Sequence, residues 1–130
     1  NYDYIVVDNE AGMEHLSRKL IDPIDALLLI SDCSRRGIQA VGRIKRLALE
    51  LNLKVGQIFL IVNRAPEGKL NSGIKEEIKK QELNLIGVVP MDQMVYDYDS
   101  DGKALVDLPE DSSCRKAINE ILSKIEFKSN

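Results

Sequence analysis

The chain has 130 residues, 44% of them hydrophobic, and carries 18 Lys+Arg against 21 Asp+Glu for a formal net charge of −3. That length suits one domain with a real core, and the near-balanced charge gives no general attraction to nucleic acid or anionic lipid. No apolar run reaches the ~18 residues of a membrane-spanning helix and no charged-then-apolar signal segment opens the chain, so a cytoplasmic setting is the expectation.

In chain order, Tyr4-Ile5-Val6-Val7 is a short continuous apolar run of the kind that forms a strand buried on both faces. It ends on Asp8, and the turn Asn9-Glu10-Ala11-Gly12 follows, with Met13, Leu16 and Leu20 suggesting a short helix after it. Residues 25–32 form a second strand-like run. Ile38, Val41, Ile44, Ala48 and Leu51 then recur at steps of three and four, with Ser34 placed to cap that helix. Residues 57–63 predict a third strand, and Ile74 and Ile78 a short helix capped by Ser72. Residues 85–90 predict a fourth strand, stopped by Pro90, which cannot donate to a ladder. The most polar stretch, 97–111, precedes a last helix marked by Ile118, Ile121, Leu122 and Ile125. Alternating strands and helices predict an α/β fold with a mainly parallel sheet, in a single domain over 1–130 without internal repeats.

Cys33 and Cys114 lie far apart and make no zinc spacing, so reduced thiols are expected, and the lone His15 reads as a surface residue. The chain opens on Asn1 rather than Met, which suggests trimming or a piece of something longer.

In open parallel sheets, ligands bind outside the carboxyl ends of the strands. The residues at those ends are Asp8, Asp32, Asn63 and Pro90, with Asp92 just beyond. Any one of these Asp or Asn residues could equally be a helix cap or turn former; the set points more strongly to a site than its members do. A strand-end carboxylate such as Asp8 suits the shell of a Mg²⁺ ion in phosphoryl transfer. Gly12, four residues on, offers a backbone N–H with no side chain to keep a phosphate away.

The string DNEAGMEHLSR, Asp8 to Arg18, resembles the switch segment of MinD/ParA-type ATPases, with Glu10 where proline is usual. Within that group it is similar to the carbon-monoxide-dehydrogenase accessory ATPases (CooC), which serve nickel insertion. Asp32-Cys-Ser-Arg-Arg-Gly37, Asn63-Arg64, Pro90-Met-Asp92 and Gly102-Lys-Ala-Leu105 resemble later family segments in the same order. Cys33 and Ala104 stand where the family has proline. The resemblance implies a P-loop NTPase half with helices on both faces of the sheet. It implies Asp8 at the Mg²⁺ shell, Gly12 sensing the γ-phosphate, Asn63 reading adenine, and Pro90 and Asp92 shaping the loop over the base. Glu14 and Arg18 belong to the switch helix on this reading. ATP and Mg are the implied cofactors, a homodimer the implied assembly, and a nickel metalloenzyme the implied client.

The family's phosphate-binding loop belongs upstream of Asp8, as does the Cys-x-Cys motif of the CooC branch, and neither G-x-x-x-x-G-K-[ST] nor G-x-G-x-x-G occurs in the chain. The chain by itself is therefore expected to lack ATP turnover. Without the strand that bears that loop, residues 4–8 are expected to pair with 27–31, or the chain to dimerise there.

Three other readings compete. Asp97-Tyr-Asp-Ser-Asp101-Gly102 matches the first half of a calcium loop, but Leu108 stands where a bidentate Glu is required. The YDYIVVD run resembles the phosphoacceptor strand of a receiver domain, without the earlier acidic pair that such a domain needs. Arg35, Arg36, Arg43, Lys45 and Arg46 could make the docking face of a non-catalytic module, although charged residues ordinarily occupy solvated helix faces.

Overall fold

A computed structural model describes residues 24–52 and 54–125. Three strands form a parallel sheet in the order β1-β2-β3: β1 (Ile24–Asp32), β2 (Val55–Ala65) and β3 (Leu85–Pro90). The connections are helical: α1 (Arg35–Glu50) joins β1 to β2, and α2 (Ser72–Lys80) joins β2 to β3. Beyond β3 come α3 (Gln93–Ser100), a short 3-10 turn at Leu105–Asp107, and α4 (Ser113–Lys124). The α/β class and the parallel sheet expected from the alternation are both present. The Tyr4–Asp8 strand, the turn at Gly12, the switch helix and the proposed pairing of 4–8 with 27–31 lie outside the described residues.

Period-2 alternation sends β2 side chains to opposite faces, and both faces are covered. Leu60 and Val62 join Leu29 of β1 against Ile38 and Val41 of α1 and Ile74 and Ile78 of α2. Ile61 and Val89 meet Ile121 of α4 on the other side. Gly87 makes that second contact possible, because a Cβ there would overlap Ile121. Among the described residues the cover over β1 is one-sided: Leu28 and Ile30, which share their face with Ile61, are 36% and 60% exposed.

Local chemistry fixes the helix starts. The Ser34 hydroxyl accepts from Gly37 N–H at 3.0 Å, the cap expected for α1. The cap of α2 is Asn71, whose Oδ1 accepts from Ile74 N–H at 2.9 Å, so the expectation of Ser72 was one residue late. Asn and Ser cap about equally well, and Ser72 here takes the first helical position. Leu51 was expected in the core but is the C-cap of α1 and 41% exposed.

Helix α3 was not anticipated: residues 97–111 stood out as the most polar stretch. The helix rules out the calcium-loop geometry, since Asp97 and Asp99 project roughly 200° apart around its axis at about 100° per residue. Among the described residues no group of three or more His, Cys, Asp or Glu is placed to hold a metal ion, and no helix is long and apolar enough to cross a membrane.

The basic residues of α1 are largely tied to α2. Lys45 Nζ donates to the Glu82 carbonyl, Arg46 to Gln81 Oε1 at 2.7 Å, and Arg35 Nε lies 3.4 Å from Glu77 Oε1. Glu77 is 3% exposed and also accepts from Gln39 at 3.2 Å and Gln81 at 2.9 Å. The Gln81 hydrogen bond leads in holding its pKa below the ordinary value, with the neighbouring Lys80 and Arg35 adding to it and burial opposing.

Candidate functional site

The register places the strand ends side by side. Asp32 is opposite Asn63, and Ala65 is opposite Pro90. Asp32, Asn63, Pro90 and Asp92 therefore share the carboxyl rim of the sheet, the edge where α/β folds hold ligands. Asp8 and Gly12 fall outside the described residues.

At the end of β1, Asp32 is folded onto the start of α1. Its Oδ1 accepts from the Ser34 hydroxyl at 2.5 Å, and that hydroxyl in turn accepts from Gly37 N–H. The arrangement needs glycine at 37, where a Cβ would overlap Asp32 Oδ1 and crowd Ser31 Oγ. Buried Ser31 turns its hydroxyl back to the Asp32 carbonyl at 2.8 Å.

At the end of β2 the backbone departs from strand geometry. Arg64 has φ 57°, a left-handed conformation uncommon for a non-glycine residue, and the ladder between β2 and β3 shifts register between Val62 and Ala65. Arg64 N–H donates to Asn63 Oδ1 at 2.9 Å, which fixes the orientation of the carboxamide. The oxygen keeps a second lone pair and the NH₂ group its two donors, so Asn63 can both give and accept toward a ligand. Pro90 closes β3, and Gly68, at φ 70° in the turn after β2, approaches its ring so that a Cβ would lie 3.5 Å from Pro90 Cβ. Met91 N–H donates to the Ala65 carbonyl at 2.9 Å, which carries the pairing one residue past the strand.

Asp92 is a junction rather than a free carboxylate. Oδ1 accepts from Met94 N–H at 2.9 Å and caps α3. Oδ2 accepts from the Ser112 hydroxyl at 2.5 Å and from Cys114 N–H at 3.1 Å, at the start of α4. Ser112 is fully buried and itself caps α4 through Arg115 N–H at 3.3 Å. The Ser112 hydroxyl is foremost in holding the Asp92 pKa below the usual carboxylate range, followed by the Cys114 N–H. Burial pushes the Cys114 thiol up, and the Asp92 charge adds to that. Cys33 and Cys114 are both free thiols.

Sequence reasoning named Asn63, Pro90 and Asp92 but missed Ser112. An Asp–x–apolar start to α3 was the readable signal for the cap; nothing local pointed to a partner twenty residues on.

No protein-family model matches the chain. An uncharacterized ATP-binding protein of Methanocaldococcus jannaschii is 38% identical over 125 residues, 96% of this chain and 49% of its own length. The septum site-determining protein MinD of Synechocystis is 32% identical over 81% of the chain and 40% of its own length. The solved MinD cell division protein of Aquifex aeolicus superposes with a TM-score of 0.61 at 20% identity, over 81% of this chain and 47% of that one. The chain is similar to one half of the MinD/ParA-type P-loop ATPases. The carbon monoxide dehydrogenase accessory protein CooC of Rhodospirillum rubrum is a more distant member of the same set, 26% identical over 93% of this chain and 44% of its own length. The chain spans about half the length of the relatives it matches, or a little less. In its described part it supplies three parallel strands of the fold and the rim at their ends.

Proposed function

We propose that the chain supplies the base-binding half of an ATP site in a MinD/ParA-type ATPase, and that the whole protein is a cytoplasmic, dimeric maturation factor for nickel insertion into carbon monoxide dehydrogenase. The observation that carries the reading is the juxtaposition of Asn63 with Asp32 and Pro90 on one rim, in a chain whose M. jannaschii relative is named as ATP-binding.

The residues present fit the base end of ATP. The Asn63 carboxamide is held by Arg64 N–H and can donate and accept toward the edge of adenine. Pro90, paired with Ala65, offers an apolar ring on the same rim. Asp92 acts one step back: with three donors on its two oxygens, it fixes the entry to α3 and thus the loop over the base. Asp8 would hold the Mg²⁺ shell and Gly12 the terminal phosphate, and the ion would supply charge neutralisation at that phosphate. The CooC likeness motivates the nickel client.

The test is titration of a fluorescent ATP analogue into the intact protein. Asn63→Ala should weaken binding at least tenfold while far-UV circular dichroism stays unchanged, and residues 1–130 alone should bind very weakly. Undiminished affinity in the variant removes the assignment of Asn63. For the client, deleting the gene should lower the nickel content of carbon monoxide dehydrogenase.

A further inference from the structure

An apolar groove of about 330 Å³ opens between α3, the 3-10 turn and α4, lined by Val95, Leu105, Val106, Leu108, Cys114 and Ile118, with Arg115 at its side. Its walls are unusually bare. Val106 is 80% exposed, Leu105 48%, Ile118 43%, and Leu122 one turn further along α4 is 47% exposed. Ile118 and Leu122 carry the helical period of α4 but do not enter the core, which takes Ile121 and Ile125 instead.

The surroundings are acidic. Six carboxylates and one lysine lie between Asp92 and Ser112. Asp99 is one turn from Val95 on α3; Asp107, Glu110 and Asp111 belong to or follow the turn that carries Leu105 and Val106. Two of the nearby cations are engaged locally, whereas Lys116 on α4 is exposed. Lys103 sits 5.3 Å over the Tyr98 ring, and the Arg115 guanidinium donates to the Leu108 carbonyl.

We infer that this groove docks an amphipathic segment of a partner protein whose apolar side chains enter between α3 and α4 and whose flanking residues are Lys or Arg. Charge complementarity selects that occupant. Carboxylates on the elements that flank the groove disfavour an anionic bilayer and favour a cationic peptide, while exposed aliphatic walls supply the area that holds it. The groove is lined by none of Asn63, Pro90 or Asp92, so the inference stands apart from the nucleotide reading.

The experiment uses the intact protein and two synthetic helical peptides of about four turns, with leucines at i, i+3, i+4 and i+7 and either lysine or glutamate elsewhere. The lysine peptide should bind by fluorescence anisotropy, weaken as salt is raised, and lose at least tenfold in affinity to Val106→Gln. Asp107→Asn with Asp111→Asn should weaken it severalfold and flatten the salt dependence. ATP-analogue affinity should be unchanged in all variants, so failure here is distinguishable from failure of the nucleotide site. No binding, equal binding of the glutamate peptide, or binding indifferent to Val106→Gln overturns the inference. So does concentration-dependent self-association, or vesicle binding, that Val106→Gln abolishes, since either assigns the groove to a different occupant.

Discussion

Asp32 and Asn63 stand opposite one another in register at the carboxyl ends of adjacent parallel strands. The two are handled differently. Asp32 is drawn down onto the α1 cap, whereas Asn63 is braced by the following backbone amide and keeps hydrogen-bonding capacity to spare. This pair thus sets a fastened carboxylate beside a carboxamide with hydrogen-bonding capacity left for a ligand.

That difference separates two variants. Asn63→Ala should cost nucleotide affinity by about 1.4 kcal/mol or more, a factor of ten, with little change in melting temperature. Gly37→Ala should instead act on structure, because the new Cβ takes the space of the Asp32 carboxylate. Overpacking of this kind typically destabilises by about 1–3 kcal/mol, readable as a shift in the urea midpoint.

The contact of Gly87 with Ile121 predicts a second overpacking site. Gly87→Val should lower stability by about 1–3 kcal/mol, and Ile121→Ala in the same chain should recover part of the loss by making room. A strictly additive double variant would contradict the packing described.

Ile38 is fully buried at the centre of the α1–α2 face. Ile38→Ala should destabilise by about 2–5 kcal/mol, the range for deleting a buried aliphatic side chain, measured by chemical denaturation.

Asp92 and Glu77 both have folded pKa values below their ordinary ones. Each therefore binds its proton more readily in the unfolded chain. The stability they contribute is fully present above the unfolded carboxylate values, near about 4, and is lost as pH falls through the folded values. Melting temperature should drop as the protein is acidified below about pH 4. Asp92→Ala should flatten that dependence and cost about 1–3 kcal/mol at neutral pH, through loss of the α3 cap and of the partner of buried Ser112.

The strands, the parallel sheet and the rim were legible because buried parallel strands read as continuous apolar runs and their last residues are polar. Asn63 and Pro90 could be placed from that alone. What resisted was whatever depended on distant partners. α3 was missed because Asp97, Asp99 and Ser100 look like turn residues, and its start is set by Asp92, itself held by Ser112. Leu51, Ile118 and Leu122 fit the helical period, yet burial is decided by what lies opposite. Leu51 ends its helix, Ile118 lines an open groove, and Leu122 lies exposed one turn beyond it. Asp8 and Gly12, the residues that the family likeness singled out most strongly, lie outside the described part and gain nothing from it.

The Asp92 carboxylate clasps both ends of the excursion from β3 to α4, so residues 93–111 hang from the sheet as a closed ring. A ring shut at its neck insulates its scaffold from its own contents: each doubling of a flexible loop's length costs only about 0.6 kcal/mol once the ends are joined. Insertions should be accepted between Gly102 and Ala104, ahead of the groove walls and of buried Leu108, while the strands beneath keep their alignment, giving the chain a place where its surface can diversify without redesign of the sheet.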